Sequence, residues 1–190
     1  MAESDVSPTT RAVASYIAEA GRRPLPAAVQ EKTKHHVLDT IAAMVSGSKL
    51  TPGKRAIAYA KSRGGVEEAS VVGTKIRTTV EHAALANGMM AHADETDDSH
   101  AGSVTHPGCA VIPAALAVAE RERRGGQALL RAVALGYDIG SRFSMSLNAR
   151  EFFEEGHSTH SFAPSFGAAA AAASLSKFDA DRVRHALSYA

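Results

Sequence analysis

The sequence predicts an all-α fold, a bundle of roughly seven or eight helices with at most one short strand. Three observations lead there. Apolar residues recur at helical spacing through nearly every long segment. Glycine and proline fall between those segments, at Gly21, Gly47, Pro52, Gly64, Gly65, Gly125 and Gly126, where they stop or start helices. Strand-forming β-branched residues gather only once, in residues 69–73. With 190 residues, 45% of them apolar, the chain can bury one substantial core.

Taken in order, residues 9–20 follow Ser7-Pro8, a helix start, and carry Val13, Ile17 and Ala20 on one face. Residues 25–46 form a longer helix with Val29, Val37, Leu38, Ile41, Ala42 and Val45 as its apolar stripe. His35 and His36 lie on that helix with no acidic or hydroxyl cluster beside them, which marks a half-exposed pair with a structural role. Thr51-Pro52-Gly53 opens a third helix that runs to residue 63. Residues 69–73 read as one short strand or extended segment, with Lys75 and Arg77 after it. Both are candidates for holding a substrate carboxylate, although surface charges on a turn are the simpler reading.

Thr78 and Glu81 have the spacing of a capping box, and the helix from there to residue 92 is rich in Ala and Gly. Small residues let helices approach closely, so this element is expected at the centre. Asn87, flanked by apolar residues, needs a hydrogen-bond partner there. A helix restarts after Pro107 and runs to residue 124, with Pro113 at an awkward interior position. Residues 127–147 form another, in which Asp138 and Arg142 stand at ion-pair spacing. Residues 148–156 read as a polar loop leading into His157-Ser-Thr-His160. The Ala-rich run 166–174 is a helix with so little bulk that its neighbours must surround it tightly. A last helix starts at Asp179 and is still running at residue 190, as if the chain were part of something larger. No repeat is visible.

The chemistry concentrates between two of these helices. Residues 92–106 gather three histidines and four carboxylates within fifteen positions, together with Ser99 and Thr105. Carboxylates this close repel one another, which raises some of their pKa values when they are buried. A histidine oriented by such a carboxylate titrates near neutrality and can move protons. The combination suits removal of a proton beside a carboxylate, with Ser99 and Thr105 as hydrogen-bond donors to substrate. Metal binding is a second possibility, through His92 and Glu95 with His100 and His106, but no HExxH or cysteine spacing supports it. The plainest alternative is a polar loop of helix-capping aspartates. No GxSxG, P-loop or GxGxxG occurs, which removes those classes.

Net charge is +1, which argues against a nucleic-acid or membrane-surface partner. Cys109 is the only cysteine, in an apolar run that reads as core, so a reducing, cytoplasmic setting is expected. The acidic residues 1–5 do not resemble a signal peptide. The longest apolar stretches, 109–119 and 166–175, fall well short of the roughly 18 residues of a membrane span.

Several segments together resemble the MmgE/PrpD family, which contains 2-methylcitrate dehydratase, cis-aconitate decarboxylase and iminodisuccinate epimerase. They are Ala69-Ser-Val-Val-Gly-Thr74, His82-Ala-Ala-Leu-Ala-Asn-Gly-Met-Met-Ala-His92, Asp97-Asp98-Ser99-His100, Thr105-His106-Pro107-Gly108 and the Phe166-Gly-Ala run, in the family's order. The resemblance implies residues 1–190 to be an incomplete helical domain, oligomeric, acting without cofactor or metal on a di- or tricarboxylic acid. Dehydration, decarboxylation and epimerisation all fit. It implies His106 as a catalytic acid or base, either His157 or His160 as the second, and Asp98 beside them. Glu95 falls at the family's acidic position, and Ser99 replaces a threonine. The family's small α/β domain and downstream lysines have no counterpart in these residues, leaving Lys75, Arg77 and Arg142 as the cations at hand. A subunit of a split enzyme, or a non-catalytic relative that binds a carboxylate or a partner, is the alternative.

Overall fold

A computed structural model describes residues 6–190; the acidic stretch 1–5, and the leader reading attached to it, lie outside the described residues. Among the described residues are nine helices and one small hairpin. The helices are α1 (Pro8–Ala20), α2 (Ala27–Gly47), α3 (Thr51–Arg63), α4 (Val80–Ala91), α5 (Gly108–Arg121), α6 (Gly126–Ser146), α7 (Ala149–Glu154), α8 (Thr159–Leu175) and α9 (Ala180–Leu187). Strands β1 (Ala69–Ser70) and β2 (Arg77–Thr78) pair antiparallel, Ala69 opposite Thr78. The all-α expectation holds. The single expected strand has a partner, because the turn at Gly73 (φ 73°) folds Arg77 back onto Ser70.

Helices α4, α5, α6 and α8 form the centre, and their contacts are made by residues with little or no side chain. A methyl group at Gly167 would sit 2.5 Å from the Gly136 carbonyl oxygen, and one at Gly140 would sit 2.9 Å from that of Ala163. Thus α6 and α8 touch backbone to backbone, as the Ala-rich run predicted. Two apolar clusters result. The larger joins Met44, Ala83, Met90, Val111, Ile112 and Val133 across α2, α4, α5 and α6. The smaller joins Ile17 of α1, Leu135 and Ile139 of α6, and Val183 of α9. Among the described residues, no helix is long and apolar enough to cross a membrane.

Several details depart from the sequence reading. On α2, Leu38 is 68% exposed and Val29 and Val45 are also at the surface, while Thr33, Thr40, Ala43, Met44 and Gly47 are buried. The face that packs carries Gly47, where a methyl would sit 1.9 Å from the Met90 carbonyl oxygen of α4. The capping box does not form: Thr79 is the N-cap residue, and the Thr78 hydroxyl donates instead to the Gly64 carbonyl. A short helix, α7, occupies part of the expected loop 148–156, and α8 begins at Thr159, capped by Ser158. Helix α9 stops at Leu187. Asn87 finds its partners on the hairpin side, accepting from Val72 N at 2.9 Å and donating to Ser70 O at 3.0 Å.

Candidate active site

The loop between α4 and α5 is clamped from every side. Ser46 of α2 donates to Asp94. His100 and Thr105 form an isolated antiparallel bridge, with His100 N donating to Thr105 O at 2.9 Å. Ser144 of α6 donates to Ser103 O at 2.7 Å, and Thr159 of α8 donates to Val104 O. Val104 is held at φ 51°, a conformation that costs a β-branched residue energy and persists only where surrounding contacts impose it. A loop fixed this firmly holds its side chains in set positions, which proton transfer requires.

Asp97 and Asp98 are adjacent and face different partners. Asp98 accepts from Gly108 N at 2.9 Å and from the Tyr137 hydroxyl at 2.7 Å, and its other contact is His36 Nδ1 at 2.8 Å. Burial by itself would raise the Asp98 carboxyl, but the hydrogen bonds from His36, Tyr137 and Gly108 outweigh it and hold the group below its ordinary value. Burial, with the Asp98 charge beside it, pushes the Tyr137 hydroxyl far above its usual range, so it stays a neutral donor. Asp98 therefore ties α2, α5 and α6 together. No room is left at that junction: a methyl at Gly108 would meet Asp98 and Thr40 oxygens at 2.6 Å.

Asp97 turns the other way, its side chain fully buried. His92 Nδ1 lies 3.2 Å from one of its oxygens and His106 Nδ1 lies 3.6 Å from the other. The second distance is an ion-pair approach, too long for a hydrogen bond, and His106 Nδ1 is buried without any hydrogen-bond partner. The rings of His92 and His106 are 5.3 Å apart, and that of His160 is 5.1 Å from His106. Burial lowers the pKa of His160, and the nearby His106 and His92 lower it further, which favours the neutral ring able to accept a proton.

The sequence-predicted residues thus separate. His106 and His160 come together; His157 is exposed and stacks on Phe152 at 4.6 Å, away from the cluster. Glu95 stays near it, its Oε1 3.4 Å from His92 Nε2, with a left-handed backbone at φ 57°. Ser99 is exposed, and the Thr105 hydroxyl is bonded to Ser103 at 2.7 Å. His100 bonds Ser103 at 2.8 Å and does not join the other histidines. Arg77 pairs with Glu120 at 3.1 Å, and it and Lys75 stand on the hairpin at the far end of α4, about 18 Å along the axis from His92. Arg142 pairs with Asp138 at 2.6 Å, as its spacing predicted.

Three residues were not singled out for the site from sequence: Asp97, His36 and Tyr137. Asp97 was one of several acids with nothing to rank it. His36 and Tyr137 lie far from the loop in sequence, and only the fold brings them to Asp98. The Cys109 thiol is pushed up to about 12 by burial and the neighbouring Asp97, which keeps it protonated, and it donates to His106 O at 3.1 Å. A groove of about 690 Å³ between α1, α6, α8 and α9 is lined by Val13, Phe143, Phe166 and Leu187 and contains none of the loop's acids or histidines. Chemistry, not size, places the candidate site at the Asp97 cluster.

Comparison with known proteins identifies the family of the chain. A cis-aconitate decarboxylase-like protein of Aspergillus oryzae is 30% identical over 175 residues, covering 88% of this chain and 36% of the relative. The chain therefore spans about a third of the length of the curated relative it matches. The family profile described as the MmgE/PrpD N-terminal domain matches residues 11–190, so all the elements that build the site fall inside the match. The chain belongs to the MmgE/PrpD family.

Proposed function

We propose that this domain carries acid–base groups of an enzyme that removes a proton beside a carboxylate of a di- or tricarboxylic acid. Elimination, decarboxylation or epimerisation would follow, in a cytoplasmic oligomer. The observation that carries the reading is the buried Asp97 carboxylate beside His92 and His106, with the His160 ring next to His106. A buried carboxylate stabilises an imidazolium formed at His106, which makes that ring an acceptor and later a donor of the substrate proton. His160, with its lowered pKa, is the second proton carrier. Glu95 and Ser99 are both exposed on the loop, and in this reading they would touch substrate from its rim.

Negative charge developing on the substrate needs a positive counterpart. Part of it comes from α8, whose first turn bears His160 and presents the positive end of the helix dipole to the cluster. Arg77 and Arg142 are paired with Glu120 and Asp138, and Lys75 stands with Arg77 on the hairpin away from the cluster, so this reading takes the full cation from a further part of the enzyme or from another polypeptide. That pairing supports a second reading, in which this chain is one part of a split enzyme or binds carboxylates without turning them over.

Proton exchange separates the two. Polycarboxylic acids incubated with the protein in D₂O should exchange the C–H beside a carboxylate, followed by proton NMR. His106→Ala should stop the exchange, a loss of at least about 100-fold for an acid–base group, and His160→Ala should slow it. Exchange that persists in His106→Ala would sink the acid–base reading. Binding without exchange in the parent protein would favour the second.

A further inference from the structure

We propose that His92, Asp97 and His106 form a binding site for a divalent transition-metal ion of the zinc class. One donor atom from each residue lies within 4.8 Å of the other two. Measured to one oxygen of the Asp97 carboxylate, Oδ2, His92 Nδ1 stands at 3.3 Å and His106 Nδ1 at 3.6 Å. Zinc bonds of about 2.1 Å at tetrahedral angles put neighbouring donors about 3.4 Å apart. The two gaps bracket that spacing; the His92 contact is within hydrogen-bond reach, and the 3.6 Å contact of His106 is not.

Two further observations agree. His106 Nδ1 is buried with no hydrogen-bond partner, a state that costs free energy until something takes its lone pair or proton. Coordination does so. The other nitrogen of His92, Nε2, faces Glu95 Oε1 at 3.4 Å. Imidazole ligands of metals commonly have a carboxylate behind them in this way, fixing the tautomer and raising the basicity of the ligating nitrogen. Two imidazoles and one carboxylate suit zinc or cobalt rather than magnesium or calcium, which prefer oxygen ligands throughout.

A bound ion would take the electron pairs that proton transfer uses. Metal and acid–base chemistry at His106 exclude each other, a consequence that rests on the function proposed above. Zn²⁺ titration by calorimetry, with Co²⁺ absorption as a reporter of coordination, tests the site directly. The parent chain should bind one ion, and Asp97→Asn and His92→Ala should weaken binding at least ten-fold. His100→Ala and His35→Ala, which remove imidazoles outside the cluster, should bind like the parent. Asp97→Asn keeps the side chain's shape while removing its charge, so it remains informative if His92→Ala unfolds. No uptake of Zn²⁺, or equal uptake by the parent and Asp97→Asn, overturns the site. Zn²⁺ that binds as expected but leaves proton exchange untouched keeps the site and counts against the acid–base reading instead.

Discussion

Asp98 is the residue on which the geometry of the loop depends, although it does not touch the histidine cluster. Both of its oxygens are occupied as acceptors, one by Gly108 N and the other by Tyr137 and His36. Asparagine at this position can accept on one side only, and its amide would oppose a donor on the other. Asp98→Asn should therefore cost about 2–3 kcal/mol at neutral pH, read by urea unfolding. The pH dependence has a defined sign. The folded carboxyl lies below its unfolded value near 4, so the native state gains stability from it above that pH. This gain is lost as pH falls through the depressed folded value, and the variant should show a flatter acid limb below about pH 4. A variant as stable as the parent at pH 7 would mean that the junction is not formed. The loop's importance was legible in its histidines and acids, but the division between Asp97 and Asp98 was not. Neighbouring residues in an irregular loop have no period from which to read their directions, and the partners that separate them sit on α2 and α6.

At the scale of elements, side-chain size decides which faces meet. The Ala and Gly content of residues 80–91 and 166–174 announced close packing, and both segments are central. Hydropathy misread α2 for the same reason. Its apolar residues Leu38 and Val45 stay outside, because α4 lies against the opposite face, where a methyl on Gly47 would sit 1.9 Å from the Met90 carbonyl oxygen. The start of α8 was hidden by Pro164 and by a polar stretch that reads as loop, although Ser158 is an ordinary N-cap residue. Close backbone contact makes a sharp prediction for Gly167. An added methyl would lie 3.1 Å from a Val111 methyl and 2.5 Å from the Gly136 carbonyl oxygen, and that backbone oxygen cannot move without separating two helices. Gly167→Ala should therefore destabilise by about 2–3 kcal/mol, despite the gain in helix propensity. In a chain of this length that is a fall in Tm on the order of 5–10 °C. Gly126→Ala, with open space around it, is the control and should leave Tm unchanged or raise it slightly. Equal behaviour of the two variants would contradict the packing described.

The whole molecule divides its core, and the division predicts how it opens. The histidine loop hangs from α4 and α5, inside the larger cluster, while α1 and α9 close the smaller one over the opposite faces of α6 and α8. Helix α6 contributes Ala132 and Val133 to the first and Leu135 and Ile139 to the second, so each cluster keeps its own apolar contacts. Small sets of contacts open locally at free energies below that of global unfolding. Ile17 is fully buried at the centre of the smaller cluster. Ile17→Ala should cost about 3 kcal/mol, and the loss should fall on the contacts that hold α1 and α9. Hydrogen exchange followed by mass spectrometry should show α1 and α9 amides losing protection by roughly 100-fold for about 3 kcal/mol, while α4 and α5 change little. The Asp97 cluster should then retain its Zn²⁺ affinity in the Ile17→Ala chain. Protection lost to the same degree in α4 and α5 would mean that the two clusters unfold as one, and that the site depends on the entire bundle.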